Sequence, residues 1–349
     1  DVTAPSITDV ADVTLNCEDD TSSTATGTAT GNDNCSGVTI TQSDVSTQDA
    51  DPSTAGPYNN TITRTWRATD VTGLCTESTQ VITVEDVTAP SITDVADVTL
   101  NCEDDTSSTA TGTATGDDNC SDVTITQSDV STQDADPSTA GHYNYTITRT
   151  WRATDVTGLF TESIQIITVE DVTAPSITDV VDVTLNCEDD TSSASTGTAT
   201  GDDNCSDVTI TQSDVSTQDL DPSTAGHYNY TITRTWRATD VTGLFTESTQ
   251  LITVDDVTAP SITDVADVTL NCEDDTSSAS TGTATGDDNC SDVTITQSDV
   301  STQGTDPNSS DYYNYTITRT WRATDVTGLF TDSTQLITVE DVTAPSITD

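Results

Sequence analysis

Residues 143–154 read Tyr-Asn-Tyr-Thr-Ile-Thr-Arg-Thr-Trp-Arg-Ala-Thr. Tyr143, Tyr145, Ile147, Arg149, Trp151 and Ala153 share one parity; Asn144, Thr146, Thr148, Thr150, Arg152 and Thr154 share the other. Alternation at period two describes a β-strand with one face toward a core and one in water. Thr, β-branched, fits a pleated surface that faces solvent. Arg149 breaks the apolar parity, and so do its equivalents Arg64, Arg234 and Arg319. An Arg in a core needs a carboxylate and further hydrogen bonds; a strand bulge or a rim position, its stem along Trp151, is the expectation.

Three shorter segments flank this pattern. Val13, Leu15 and Cys17 alternate with Thr14 and Asn16, Val38 and Ile40 with Thr39 and Thr41, and Ile82 and Val84 with Val81 and Thr83. Turn-rich stretches at 18–23, 31–37, 49–56 and 70–73 separate them. Nothing recurs at 3.6 residues, so helix should be negligible. Several short strands with turns at this spacing predict an all-β, Ig-like sandwich.

The pattern is periodic. DVTAPSITD begins at Asp1, Asp86, Asp171, Asp256 and Asp341, a step of 85 residues. Such a step suits a small domain better than a solenoid unit. The expected organisation is tandem Ig-like domains at 1–85, 86–170, 171–255 and 256–340, with 341–349 opening a fifth, as a segment of a longer array. Residues 80–90 carry no Gly or Ser-rich spacer, and Pro90 stiffens the link. An extended rod follows.

Composition removes several functions. The 349 residues carry 60 acids against 8 Arg and no Lys, a formal charge of −52. A polyanion of this size repels nucleic-acid phosphate, and no apolar run approaches a membrane span. Nineteen Thr in residues 86–170 supply strand surface despite a thin core. The Thr61, Thr63 and Thr65 row has an alternative reading as an ice- or glycan-binding plane. Catalysis is not expected. His142 and His227 do not recur in the first and fourth repeats, so no His- or Lys-based nucleophilic site can repeat.

Cysteines fall in pairs 18 residues apart: Cys17 and Cys35, Cys102 and Cys120, Cys187 and Cys205, Cys272 and Cys290. Two thiols without a recurrent His do not fill a zinc tetrahedron. Each pair therefore predicts a disulfide inside its own repeat, worth about 3 kcal/mol, and an oxidising location. Cys75, where later repeats carry Phe160, Phe245 and Phe330, is expected as a buried free thiol.

Oxygen donors recur and suit a hard cation. Glu18-Asp19-Asp20 is one grouping; the turn acids Asp33, Asp118, Asp203 and Asp288 form another. Asp70, Asp155, Asp240 and Asp325 close the Trp strand. The junction pairs are Glu85-Asp86, Glu170-Asp171, Asp255-Asp256 and Glu340-Asp341. Ca²⁺ between repeats, held by the junction pair and loop acids such as Asp155, would relieve the repulsion between repeats bearing 13 to 15 acids each. Acids that merely solvate loops are the plainer reading.

The strings DVTAPSITDVADVTLNC, TATGNDNC, YTITRTWRATD and TQVITVEDVTAP, in that order, cover most of each unit. Together they resemble bacterial extracellular Ig-like modules related to hyalin-type (HYR-like) repeats, as in large Bacteroidota surface adhesins of the gliding-motility type. The resemblance implies an exported fibrous protein at the surface of a bacterium, type IX secretion, and adhesion to cell-surface or matrix components. Self-association into filaments and contact with glycans are further expectations. Members usually carry a Cys in the turn after the ATD string; here only Cys75 does.

Overall fold

A computed structural model of the chain describes residues 2–347; Asp1, the first residue of the expected first repeat, and Thr348 and Asp349, at the end of the expected fifth, lie outside the described residues. The chain divides into two compact units, Asp1–Val172 and Thr173–Asp349. Each holds two copies of one series of elements.

In the first copy these are β1 (Ser6–Ile7), β2 (Val13–Asn16), the single-turn α1 (Ser23–Thr26), β3 (Gly31–Asn32), β4 (Thr39–Ser46), β5 (Asn60–Thr69) and β6 (Cys75–Glu85). Strands β4, β5 and β6 form an antiparallel meander, and β2 joins β6 in parallel, giving the order β2-β6-β5-β4. The second sheet is the short antiparallel pair β1–β3. The protein is all-β, a series of β-sandwich repeats.

Local chemistry sets the turns. Between β5 and β6, Asp70 Oδ1 accepts the backbone N–H of Thr72 at 2.7 Å and of Leu74 at 3.0 Å. Gly73 takes φ +89° there, a conformation that favours glycine. The expected parity holds through the core: Trp66, Ala68, Ile82 and Val84 are buried. In the second copy Ile147, Ile167 and Val169 pack with Val98, Leu100 and Tyr145. The strand begins at Tyr145, two residues later than the alternation suggests, because Tyr143 closes a 3₁₀ turn at Ala140–His142.

Two expectations need correction. Arg149 is not at a rim but in the core, 2% exposed. Its Nε and Nη2 donate to the two oxygens of Asp129, each at 2.8 Å. Nη1 donates to Thr111 Oγ1 at 2.8 Å and Nη2 to the Thr106 carbonyl at 3.0 Å. Asp129 lies directly opposite on the neighbouring strand, so the core arginine finds its fork-shaped partner by register alone. Arg64, Arg234 and Arg319 repeat the pair with Asp44, Asp214 and Asp299. Cys75 is free, as expected, but only half-buried, with Arg67 Nη2 at 3.1 Å from its sulfur. Its equivalent Phe160 is 47% exposed, under an Arg152 guanidinium 3.4 Å from the ring centroid. The position belongs to the outer face, where arginine covers it.

The hydrogen bonds from Arg149 hold the Asp129 carboxyl below the ordinary carboxylate range. A folded-state value below the unfolded one gives stability that is complete above the unfolded value and lost as pH falls through the folded one. Breaking a buried pair costs about 3–5 kcal/mol. The Asp129 side chain stays 37% exposed, so Asp129→Asn should cost about 2 kcal/mol at pH 7. In urea unfolding followed by Trp fluorescence, that difference should vanish on acidification below the folded value.

Candidate metal and disulfide centre at the repeat junctions

The parallel register of β2 on β6 pairs Asn16 with Glu85. Both strands therefore run out at the same end of the repeat, one into Cys17 and the other into Asp86. Asp86 is fixed there, its N–H donating to Asn59 Oδ1 at 2.7 Å, and it is 7% exposed.

Two turns of the next repeat close over this end. In the first, Asp118 Oδ2 accepts the N–H groups of Cys120 at 2.9 Å and Ser121 at 3.1 Å. In the second, Asp155 Oδ1 accepts the N–H groups of Gly158 at 2.7 Å and Leu159 at 2.9 Å. Ser121 Oγ accepts the Val156 N–H at 3.1 Å and ties the turns together. The result is three carboxylates, Asp86, Asp118 and Asp155, whose ligand oxygens lie within 4.8 Å of one another.

At an effective dielectric near 20, two unit charges at that separation repel by about 3.5 kcal/mol. Burial first, then Asp118 and Asp155, push the Asp86 carboxyl above its usual range. Asp118 Oδ1 and Asp155 Oδ2 are buried without a hydrogen-bond partner, and so is Asn16 Oδ1 from the preceding repeat. Asp155 itself is only 6% exposed. Buried oxygens left unpaired beside one another are costly. Oxygen-only donors of this kind fit a hard cation such as Ca²⁺.

The second unit repeats the arrangement. Asp256, also buried, is pushed up by burial and then by Asp288 and Asp325. Asp288 Oδ1 and Asp325 Oδ2 are buried and unpartnered. Of the other expected ligands, Asp33 and Asp203 occupy the same turn and hold the N–H groups of Cys35 and Cys205 at 2.9 Å. Asp70, Asp171 and Asp240 are buried, whereas Asp341 is exposed. Glu85, Glu170 and Glu340 end their strands exposed, and Asp255 is half-buried. Glu85 thus stands outside the converging trio at its junction. Asp19 and Asp20 cap their own turn, accepting the N–H groups of Asn16 at 2.7 Å and Ser22 at 2.8 Å.

The disulfides do not lie within repeats. Cys17 bonds Cys120, with a Cα–Cα distance of 6.0 Å, and Cys187 bonds Cys290, at 5.9 Å. The expected pairs Cys17–Cys35, Cys102–Cys120, Cys187–Cys205 and Cys272–Cys290 are thereby all overturned. The reason is topological. Cys17 follows the last paired residue of β2, at the trailing end, whereas Cys120 sits beside Asp118, against the first residue of its repeat. The two cysteines of one repeat lie at its opposite ends. Cys35, Cys75 and Cys272 are free among the described residues. Burial and the nearby Asp341 hold the Cys272 thiol above its usual range.

The disulfide and the carboxylates adjoin. Both sulfurs of Cys17–Cys120 and a carboxylate oxygen of Asp86 lie within 4.8 Å of one another. Asn119 Nδ2 donates to Cys120 Sγ at 3.0 Å. The Thr row of β5 lies elsewhere, with Thr65 opposite Thr79 and Ser43. Exposed Val45 and the Arg67–Glu77 ion pair share that outer face.

No protein-family model matches the sequence, and no curated protein matches it. Solved structures similar to the chain include the protocadherin gamma B4 extracellular domain, 14% identical, covering 96% of this chain and 66% of that one, TM-score 0.38. Protocadherin gamma B2 extracellular cadherin domains 3–6 are 13% identical, covering 97% and 100%, TM-score 0.35. Drosophila N-cadherin EC1-4 is 14% identical, covering 89% and 94%, TM-score 0.25.

Non-reducing proteolysis with mass spectrometry should recover Cys17 linked to Cys120 and Cys187 linked to Cys290. A Cys17–Cys35 peptide would contradict the junction geometry.

Proposed function

We propose that the chain is part of an extracellular structural and adhesive stalk. Its Ig-like modules, 1–85, 86–170, 171–255 and 256–340, are locked head to tail by disulfides and stiffened by Ca²⁺. One observation carries this reading: buried, unpartnered oxygens of Asp118 and Asp155 converge with Asp86 beneath a covalent bridge from the preceding repeat. A divalent cation there would neutralise the repulsion and satisfy the free oxygens together. Asp256, Asp288 and Asp325 hold the second such site.

Disulfides persist in oxidising compartments, which supports a place outside the cytoplasm. The strong negative charge keeps near-identical sheets from pairing at their edges. With the sequence resemblance, these features favour a bacterial surface adhesin of the HYR-like type over an enzyme. Its partners are cell-surface or matrix components, glycans among them, and other copies in a filament.

Calcium at a hundred times its dissociation constant stabilises a folded site by about 2.7 kcal/mol, about 10 °C or more in melting temperature for a domain of this size. Differential scanning calorimetry in CaCl₂ against a chelator should show such a rise. Asp86→Asn should raise the melting of the unit 1–172 in chelator, since one repelling charge is gone, and abolish that unit's calcium response, while the unit that holds the Asp256 site keeps its own. Identical melting of the parent chain with and without calcium would remove the stiffening role.

A further inference from the structure

We infer that the junction disulfide controls the affinity of the junction cation site, and that the cation in turn protects the disulfide from reduction. This rests on the proposal that the carboxylate trio binds calcium. Three observations join the two centres. Asp86 belongs to both, its carboxylate lying within 4.8 Å of the two sulfurs and of Asp118 and Asp155. Asp118 is oriented by the N–H of Cys120, so the turn that carries a ligand also carries a bridged sulfur. Asn16, whose Oδ1 is buried and unpartnered, immediately precedes Cys17.

The bridge therefore fixes the strand end that carries Asn16 beside the turn that carries Asp118, with Asn16 Nδ2 donating to Thr88 Oγ1 at 3.4 Å. Asp155, 6% exposed with its Oδ2 unpartnered, marks the same place as a ligand site independently of the sulfur. The second unit repeats the coupling elements, Cys187–Cys290 with Asp256, Asp288 and Asp325.

Reduction breaks the S–S bond, and each sulfur gains one electron and one proton. A dithiol such as dithiothreitol supplies both and leaves as its cyclic disulfide. The Asn16 side chain then keeps only its Nδ2 hydrogen bond to Thr88 Oγ1, at 3.4 Å, and the Asp118 turn only its tie to Val156 through Ser121. A cation that prefers the bridged form must favour that form by the same factor, because linkage between binding equilibria is reciprocal. The junction becomes firm only where conditions are both oxidising and calcium-rich, as they are outside a cell.

The test uses the full chain. Calorimetric titration with CaCl₂ should give a dissociation constant at least about tenfold weaker after dithiothreitol treatment, with circular dichroism confirming that the sheets persist. In a dithiothreitol redox buffer, calcium should shift the midpoint for the Cys17–Cys120 bond by the same factor, about 30 mV per tenfold for two electrons. Cys17→Ser with Cys120→Ser should reproduce the weakened affinity at that junction without reductant. Equal affinities in the oxidised and reduced chains would overturn the coupling and leave calcium binding intact. No binding by the oxidised chain would overturn both.

Discussion

The parallel pairing of β2 with β6 is the constraint from which the junction follows. A meander alone would leave the final strand to exit by itself. Because β2 runs alongside it in the same direction, Asn16–Cys17 and Glu85–Asp86 emerge together at one end. The opposite end presents the two aspartate turns and the other cysteine. Within each unit the trailing end of one repeat thus meets the unlike leading end of the next.

Inside a repeat, polar contacts do work that a larger apolar core does elsewhere. Arg149 reaches from its strand to Asp129 on the edge strand and to Thr106 and Thr111 around the single-turn helix. Gln165, fully buried beside it in register, donates to the carbonyls of Ala96 and Thr111 at 3.0 and 2.9 Å. Irregular segments that carry few large apolar side chains are thereby tied to the main sheet. A network of this kind specifies one arrangement strongly, because every misplacement leaves a buried charge or amide unpaired.

Much of this was legible in the order of residues. The Tyr145–Ala153 parity located the main strand, its buried face and the sandwich class. Asp86, at the junction, and Asp118 and Asp155, in turns, stood out as recurrent oxygen donors. The cysteine pairing did not, because an 18-residue step within a repeat and a 103-residue step between repeats use the same two positions. Only the direction of β2 relative to β6 tells them apart, and alternation carries no direction. Arg149 looked misplaced for a related reason: its partner Asp129 lies 20 residues away, and their meeting depends on hairpin register. Glu85 and Asp86 were read as a pair, but successive side chains on a strand point to opposite faces, and Glu85 ends its strand exposed while Asp86 is buried.

The 103-residue span of the Cys17–Cys120 bridge also has a mechanical meaning. Both ends of the segment 18–119 are fastened to one covalent point. Tension pulling on the chain passes through the sulfur–sulfur bond and leaves that loop slack. Drawn straight, it would otherwise add about 350 Å of contour. Even if the sheets it contains were to melt under load, the tether could not lengthen by that amount while the bridge lasts. Between Cys17 and Cys120, then, the give of the chain under load is set by redox chemistry rather than by the folding stability of the segment the bridge encloses.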